Sequence, residues 1–341
     1  MNKFIKTTSV IFASLFLCLL SYKFCYLVAE KYFFDKLIYR KSIAHGYRLG
    51  LVEKNIYQKF RPLTNILFGQ RIKNMVDLVS NKNIFTEKSY NIAIIGDSYI
   101  WGTGIKTNQR FAQILEKKLN KIKATKIITL GRPGDSILDY LYWYDLINNQ
   151  KIKPNLFIFS MVENDAFIEP TSNRALIPKY KKIIDSCQQA NPNTNIINLK
   201  NVDVYKLADD GYTKDQIDKI VNELQVKSLK NPTNICIFKK SLELLSNSQS
   251  IFFAADNYII NNSDGFNIMN KYLIASNKKI LPSEIGKNIP KYSLYWNNNI
   301  DLYNSFKISP AEGHPNALAN QMYADILFIE ITSNPKWGFT K

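Results

Sequence analysis

The chain opens on an apolar run, Val10-Ile-Phe-Ala-Ser-Leu-Phe-Leu-Cys-Leu-Leu20, behind a basic start at Lys3 and Lys6, and stays mostly apolar through Ser21–Ala29. Together these stretches approach the roughly 20 residues that a membrane span requires, with Lys23 as the flaw. No small-residue cleavage site follows, so residues 1–30 read first as an uncleaved signal anchor and second as a cleaved signal peptide. Residues 31–90 mix polar and apolar positions without a boundary and read as a juxtamembrane region. From Tyr90 the rhythm changes. Asn91–Ile95 is a short apolar run, as expected of a strand buried on both faces. Phe111–Asn120 sets Phe111, Ile114, Leu115 and Leu119 at helical spacing. Lys126–Leu130 reads as a second strand, Asp135–Ile147 as a helix and Leu156–Val162 as a third strand. Such alternation predicts right-handed crossovers and a mainly parallel sheet.

The alternation breaks over residues 166–234, which are rich in Asn, Lys, Asp and Pro, with one helix predicted near Lys214–Leu224. This stretch reads as an insertion packed over a core domain that occupies residues 91–341. The alternation resumes with a helix at Cys236–Leu245, a strand at Ser250–Ala255, a helix near Gly265–Ala275 and a last helix at Pro315–Ile331.

Charge changes the picture less than its size promises. The 45 Lys and Arg against 28 Asp and Glu give a formal net charge of +17, which invites a nucleic-acid reading. The lysines, however, are scattered along the whole chain, with no zinc-finger spacing and no aromatic-basic RNA motif. Attraction to anionic lipid or to an acidic surface polymer accounts for them at least as well. Cys18 and Cys25 sit in or beside the N-terminal apolar segment. Cys187 and Cys236 have no CxxC spacing, so no metal site is expected. Outside the cytoplasm a Cys187–Cys236 disulfide can form, and two buried free thiols are an equal alternative.

The chemistry starts at Gly96-Asp97-Ser98, where an apolar strand stops at a small polar serine. In an open parallel sheet, reactive groups collect at the carboxyl ends of the strands. The spacing excludes three other loops. No Gly-Lys pair follows as a phosphate loop needs, and the third glycine of a dinucleotide loop is missing. Ile100 stands where the nucleophile elbow of α/β-hydrolases has its last glycine. No spacing calls for a cofactor. A serine hydroxyl needs a base, and the chain has only two histidines, His45 and His314. His45 lies in the juxtamembrane stretch. His314, between Gly313 and Pro315 and beside Glu312, suits base duty. Oxyanion donors are available at the next two strand ends, from the backbone of Gly134 and the side-chain amide of Asn164.

In these four blocks the sequence resembles the GDSL or SGNH hydrolases: Gly96-Asp97-Ser98, Gly134, Asn164-Asp165 and His314-Pro315-Asn316. The phrase from Gly96 to Ile105, followed by Phe111 and a helix, is most similar to the branch that acts on cell-surface glycans. The resemblance covers residues 91–162 and about 235–332. It implies a flavodoxin-like three-layer α/β/α sandwich with a parallel sheet, and a serine esterase mechanism. Ser98 would attack, His314 would act as base, and the N–H groups of Ser98 and Gly134 with the Asn164 amide would hold the oxyanion. The family's usual glycine two residues before Asn is Val162 here. The usual aspartate before the histidine is replaced by Ala311 and Glu312, leaving either Glu312 as the orienting acid or a Ser–His dyad supported by a backbone carbonyl. Asp97 and Asp165 read as supports.

The implied function is hydrolysis or transfer of an O-acyl group, most simply acetyl, on an envelope polysaccharide. The implied location is extracytoplasmic and membrane-anchored, although Lys31, Lys36, Arg40 and Lys41 after the anchor favour the opposite orientation on a strict positive-inside count. A membrane-proximal lipase or lysophospholipase acting on lipid esters, and an inactive glycan-binding subunit, are the alternatives.

Overall fold

A computed structural model of the chain describes residues 73–79, 84–102, 104–166, 177–194, 206–207, 210–256, 264–297, 302–309 and 312–339, with Ser21 and Ile197 as single positions. The proposed anchor and nearly all of the juxtamembrane region lie outside the described residues. Among the described residues, no helix is long and apolar enough to cross a membrane.

Five parallel strands form the central sheet: β1 (Tyr90–Gly96), β2 (Thr125–Gly131), β3 (Leu156–Met161), β4 (Ser250–Ala254) and β5 (Ile280–Pro282), in the order β2-β1-β3-β4-β5. This is the flavodoxin-like order of a doubly wound sheet, with its switch point between β1 and β3. Every residue of β1 and β3 is buried, and their apolar runs divide by the two-residue period of a strand. Ala93, Ile95, Phe157 and Phe159 enter one core; Ile92, Ile94, Leu156 and Ile158 enter the other.

The helices in chain order begin with the short α1 (Ser98–Trp101) and α2 (Phe111–Leu119); the first core is covered by α3 (Ile137–Asn148), α4 (Pro178–Ala190), α6 (Pro232–Ser246) and α7 (Asp264–Ala275), with α5 (Lys214–Lys230) between α4 and α6. The second core is covered by α2, α8 (Pro290–Asn297), α9 (Leu302–Phe306) and α10 (Ala317–Ser333). Phe111, Leu115 and Leu119 form the buried stripe of α2. Its first N–H, at Phe111, donates to Asn320 Oδ1 on α10 at 3.0 Å, tying the two helices of that layer together. A two-stranded antiparallel ribbon, β6 (Lys307–Ser309) and β7 (Glu312–Pro315), precedes α10.

Several boundaries differ from the sequence reading. The helix expected at Asp135 begins at Ile137, because Ser136 and Asp139 form a capping box and Asp135 stays in the loop. The helix expected at Pro315 begins at Ala317, since Pro315 closes β7 and Asn316 caps the helix. The predicted insertion contains α4, which the polar composition concealed, and α5 runs on to Lys230. Cys187 on α4 and Cys236 on α6 are joined as a disulfide, with Cα atoms 5.6 Å apart. That bond fastens the inserted stretch to a helix of the core layer.

Candidate active site

The carboxyl ends of β1, β2, β3 and β4 each carry a loop with polar side chains, and three of the loops are held by buried carboxylates. At β1, Asp97 is 2% exposed. Its carboxylate accepts from Tyr99 N–H at 2.9 Å, capping α1, and from Ser98 Oγ at 3.0 Å. Ser98 therefore opens a short helix directly beyond the strand, and its hydroxyl rests on its neighbour. Gly96 is required by close packing: a Cβ there would run into the Ile100 side chain and lie 3.0 Å from the carbonyl oxygen of Ser160 on β3.

At β2 the loop Gly131–Ser136 turns on Gly134, whose φ of +80° lies in the left-handed region and which has open space where a Cβ would be. Asp135, 4% exposed, accepts from Arg132 N–H (3.0 Å), Arg132 Nε (2.8 Å) and Trp143 Nε1 (2.7 Å). Arg132 Nη2 reaches Asp139 at 3.1 Å, and Asp139 also accepts from Ser136 N–H. One guanidinium thus pins the glycine turn to α3 through two carboxylates.

At β3 the chain enters the 3-10 turn Glu163–Ala166, which contains Asn164; the Asn164 side chain lies outside the described set. Asp165 is buried and accepts from Val162 N–H at 2.7 Å and from Tyr140 Oη at 2.8 Å, a supporting role. Burial holds its pKa well above the ordinary carboxylate value, and the negative charge of Asp97 adds to the effect. Val162, where the resemblance expects glycine, is packed in the α2–α10 core.

His314, half-buried, sits on β7, and β7 packs against α1. The imidazole lies 5.8 Å from the ring of Tyr99, the residue after Ser98. Asn316 holds this arrangement. Its Oδ1 caps α10 at Ala319 N–H (3.0 Å), while its Nδ2 donates to the carbonyls of Ser305 (2.8 Å) and Lys307 (3.1 Å). The serine turn and the histidine strand, far apart in sequence, thus meet at one end of the sheet. Glu312 lies on the same strand opposite Ser309, but its side chain is outside the described set, as is His45.

Sequence reasoning missed a polar cluster beside the histidine. Lys307, 5% exposed, donates from Nζ to Tyr99 Oη at 2.7 Å, and Tyr99 Oη donates to Asp256 at 3.3 Å. Burial pushes the Asp256 carboxyl up to about 6; Lys307 pulls it down, while Asp97 and Glu163 push it further up. Asp256 follows β4 as Ser98 follows β1, so the strand-end rule that found Ser98 applied there too. Among the described residues no group of His, Cys, Asp and Glu is arranged to hold a metal ion.

Residues 94–231 match the GDSL-like Lipase/Acylhydrolase family. The match spans about two fifths of the chain and is to a family of lipases and acylhydrolases, in line with ester chemistry at Ser98. The matched stretch holds Ser98, Gly134 and Asn164; His314 lies beyond it and is brought to the same end by the fold. Solved structures similar to the chain include an acetyl xylan esterase (14% identity, TM-score 0.38, covering 71% of this chain and 99% of that one). Another is a psychrotrophic esterase from Pseudoalteromonas sp. (13%, 0.38, 72% and 98%). A third is an acetylxylan esterase from Geobacillus stearothermophilus (11%, 0.38, 72% and 96%). No curated protein matches the chain.

Proposed function

We propose that the protein removes or transfers an O-acyl group, in the simplest case acetyl, on a cell-envelope polysaccharide through an acyl-enzyme on Ser98. The observation that carries the reading is the packing of the His314 strand against the Ser98 turn at the carboxyl end of the sheet. Ser98 Oγ leaves Asp97 as its proton passes to His314 and attacks the ester carbonyl. The tetrahedral oxyanion is met by the N–H groups of Ser98 and Gly134 and the amide of Asn164. His314 returns the proton to the departing sugar hydroxyl, and water or an acceptor hydroxyl then takes the acyl group by the same steps in reverse. Glu312, on the same strand as His314, orients the imidazole. The basic, apolar N-terminus and the Cys187–Cys236 disulfide both favour an anchored protein in an oxidising compartment outside the cytoplasm.

The test is labelling of the full-length chain by a fluorophosphonate, followed by acetate release from O-acetylated polysaccharides. Label on Ser98 and acetate release, both lost in Ser98→Ala, are expected. Unchanged acetate release by Ser98→Ala would reject the acyl-enzyme. Glycan binding without label would favour an inactive binding subunit. Fatty-acid release from phospholipid in place of acetate would favour the lipase reading.

A further inference from the structure

Six of the lysines that look scattered in the sequence are gathered by the topology. In a parallel sheet every helix returns the chain to the same end, so the loops leading into the strands lie together at the end opposite Ser98. Lys121 and Lys123 precede β2, Lys151 and Lys153 precede β3, Lys279 precedes β5, and Lys336 lies in the 3-10 turn Pro335–Trp337 after α10; all six are exposed. That turn is held at this end by a bond from Gln249 Nε2, just before β4, to the Lys336 carbonyl at 3.2 Å. Among the described residues none of the six ammonium groups is ion-paired with a carboxylate, unlike Lys118, Lys179, Lys181 and Lys287 elsewhere.

Offsetting helix dipoles does not explain them. That effect is confined to the last turn, which Lys117 and Lys118 already occupy on α2, whereas α3, α7 and α10 have no basic residue there. The six lie beyond the helices, in the loops. In the described segment leading into β1 the exposed carboxylate is Glu87, while Glu330 is occupied by Trp337 Nε1 at 2.8 Å and Asn334 Nδ2 at 2.9 Å. Burial, and then the neighbouring Lys336 charge, lower the pKa of Lys278, so the local field is positive. Lys278, Lys279 and Lys336 also border a cleft of about 500 Å³ beside β5, open and wide enough for a phosphate group.

The N-terminal chain arrives at this same end. The Val79 carbonyl, in the helical segment 73–79, accepts from Gln150 Nε2 at 2.8 Å, in the loop before β3. The described part of the N-terminal chain therefore joins the domain at the basic end.

We infer that the amino end of the sheet is a docking face for an anionic phospholipid bilayer, holding the Ser98 end pointed away from the membrane. The inference draws on the anchored reading of residues 1–30 but not on the chemistry at Ser98. Each lysine brought to such a surface strengthens association by about fivefold, and salt weakens the effect.

The full-length chain is reconstituted with phosphatidylcholine vesicles, with or without phosphatidylglycerol. Flotation reports anchoring, and lysine acylation read by mass spectrometry reports the face. Phosphatidylglycerol is expected to lower acylation of the six lysines by about fivefold or more and to leave Lys181 and Lys239 unchanged, with the protection lost at high salt. The Lys121→Gln/Lys153→Gln/Lys279→Gln/Lys336→Gln variant should still float and still hydrolyse a soluble ester, but should lose the phosphatidylglycerol-dependent protection at Lys123 and Lys151. Flotation with equal acylation in both lipids would overturn the docking face and leave the anchor standing. Failure to float with either vesicle would overturn the anchor and the face together. Protection by soluble polyphosphate but not by phosphatidylglycerol would overturn the bilayer as partner.

Discussion

The two ends of the sheet are built from the same strands and helices yet carry opposite electrostatics. At the carboxyl end, Asp97, Asp135, Asp139, Asp165 and Asp256 are all buried, and almost every one is engaged by a backbone N–H, a hydroxyl, an indole or a guanidinium. At the amino end stand six exposed lysines that, among the described residues, have no carboxylate partner. Buried ionisable groups are costly and are held only by specific partners, so the carboxyl end is rigid and specialised for chemistry. Exposed ammonium groups cost little and act collectively through their field, so the amino end is suited to a surface and not to a small ligand. On the proposed docking, the fold would separate reaction from attachment by the length of its strands.

The largest effect expected at either end is that of His314→Ala. It should lower kcat/KM for p-nitrophenyl acetate by about 10³-fold or more, about 4 kcal/mol of transition-state stabilisation, without moving the lysine acylation pattern on vesicles. If the four-lysine variant lost comparable activity on this soluble ester, the two ends would not be independent.

Next is Asp256, whose carboxyl is pushed up to about 6 from an ordinary 3.8, mainly by burial. Between about pH 4 and 6 the unfolded chain has released this proton while the folded chain still holds it. Stability therefore falls as pH rises through that window, by on the order of 2–3 kcal/mol, and the loss is complete above pH 6. Urea unfolding of Asp256→Asn across pH 4–7 should show this part of the slope removed; an unchanged slope would assign it to other groups, Asp165 first.

Gly134→Ala should cost about 1–2 kcal/mol, because alanine at φ +80° is strained even with open space around it. Turnover should fall further than stability, since relaxing the strain turns the Gly134 N–H. Equal thermal stability of the variant and the parent would show that the turn adapts. Smallest is Lys153→Gln, expected to shift stability by less than about 0.5 kcal/mol; a larger change in urea unfolding would show that the basic end is structural.

The sequence exposed what is local and hid what is assembled. Strands β1, β3 and β4 were legible because each is an uninterrupted apolar run, and Ser98, Gly134 and Asn164 because each follows a strand end. The helix α4 was not legible: its buried stripe of Tyr180, Ile184 and Cys187 is thin and set among lysines and glutamines. The short strands β5, β6 and β7 offered too few residues for a period to show. The Tyr99–Lys307–Asp256 cluster joins three distant segments and has no signature in any of them. The lysines are dispersed along the chain, and the fold brings six of them to one end of the sheet. A spread along a parallel α/β chain can still yield a local patch where several basic residues fall in the same kind of loop.

Helix α10 links the two ends. Its 17 residues run from the Asn316 cap beside His314 to the turn that carries Lys336, about 25 Å at the usual rise per residue. On the proposed docking, this helix would act as a ruler. It would set the stand-off height of the reacting carbonyl and favour an acyl group carried on a polymer that rises that far from the bilayer over an ester lying among the lipid tails.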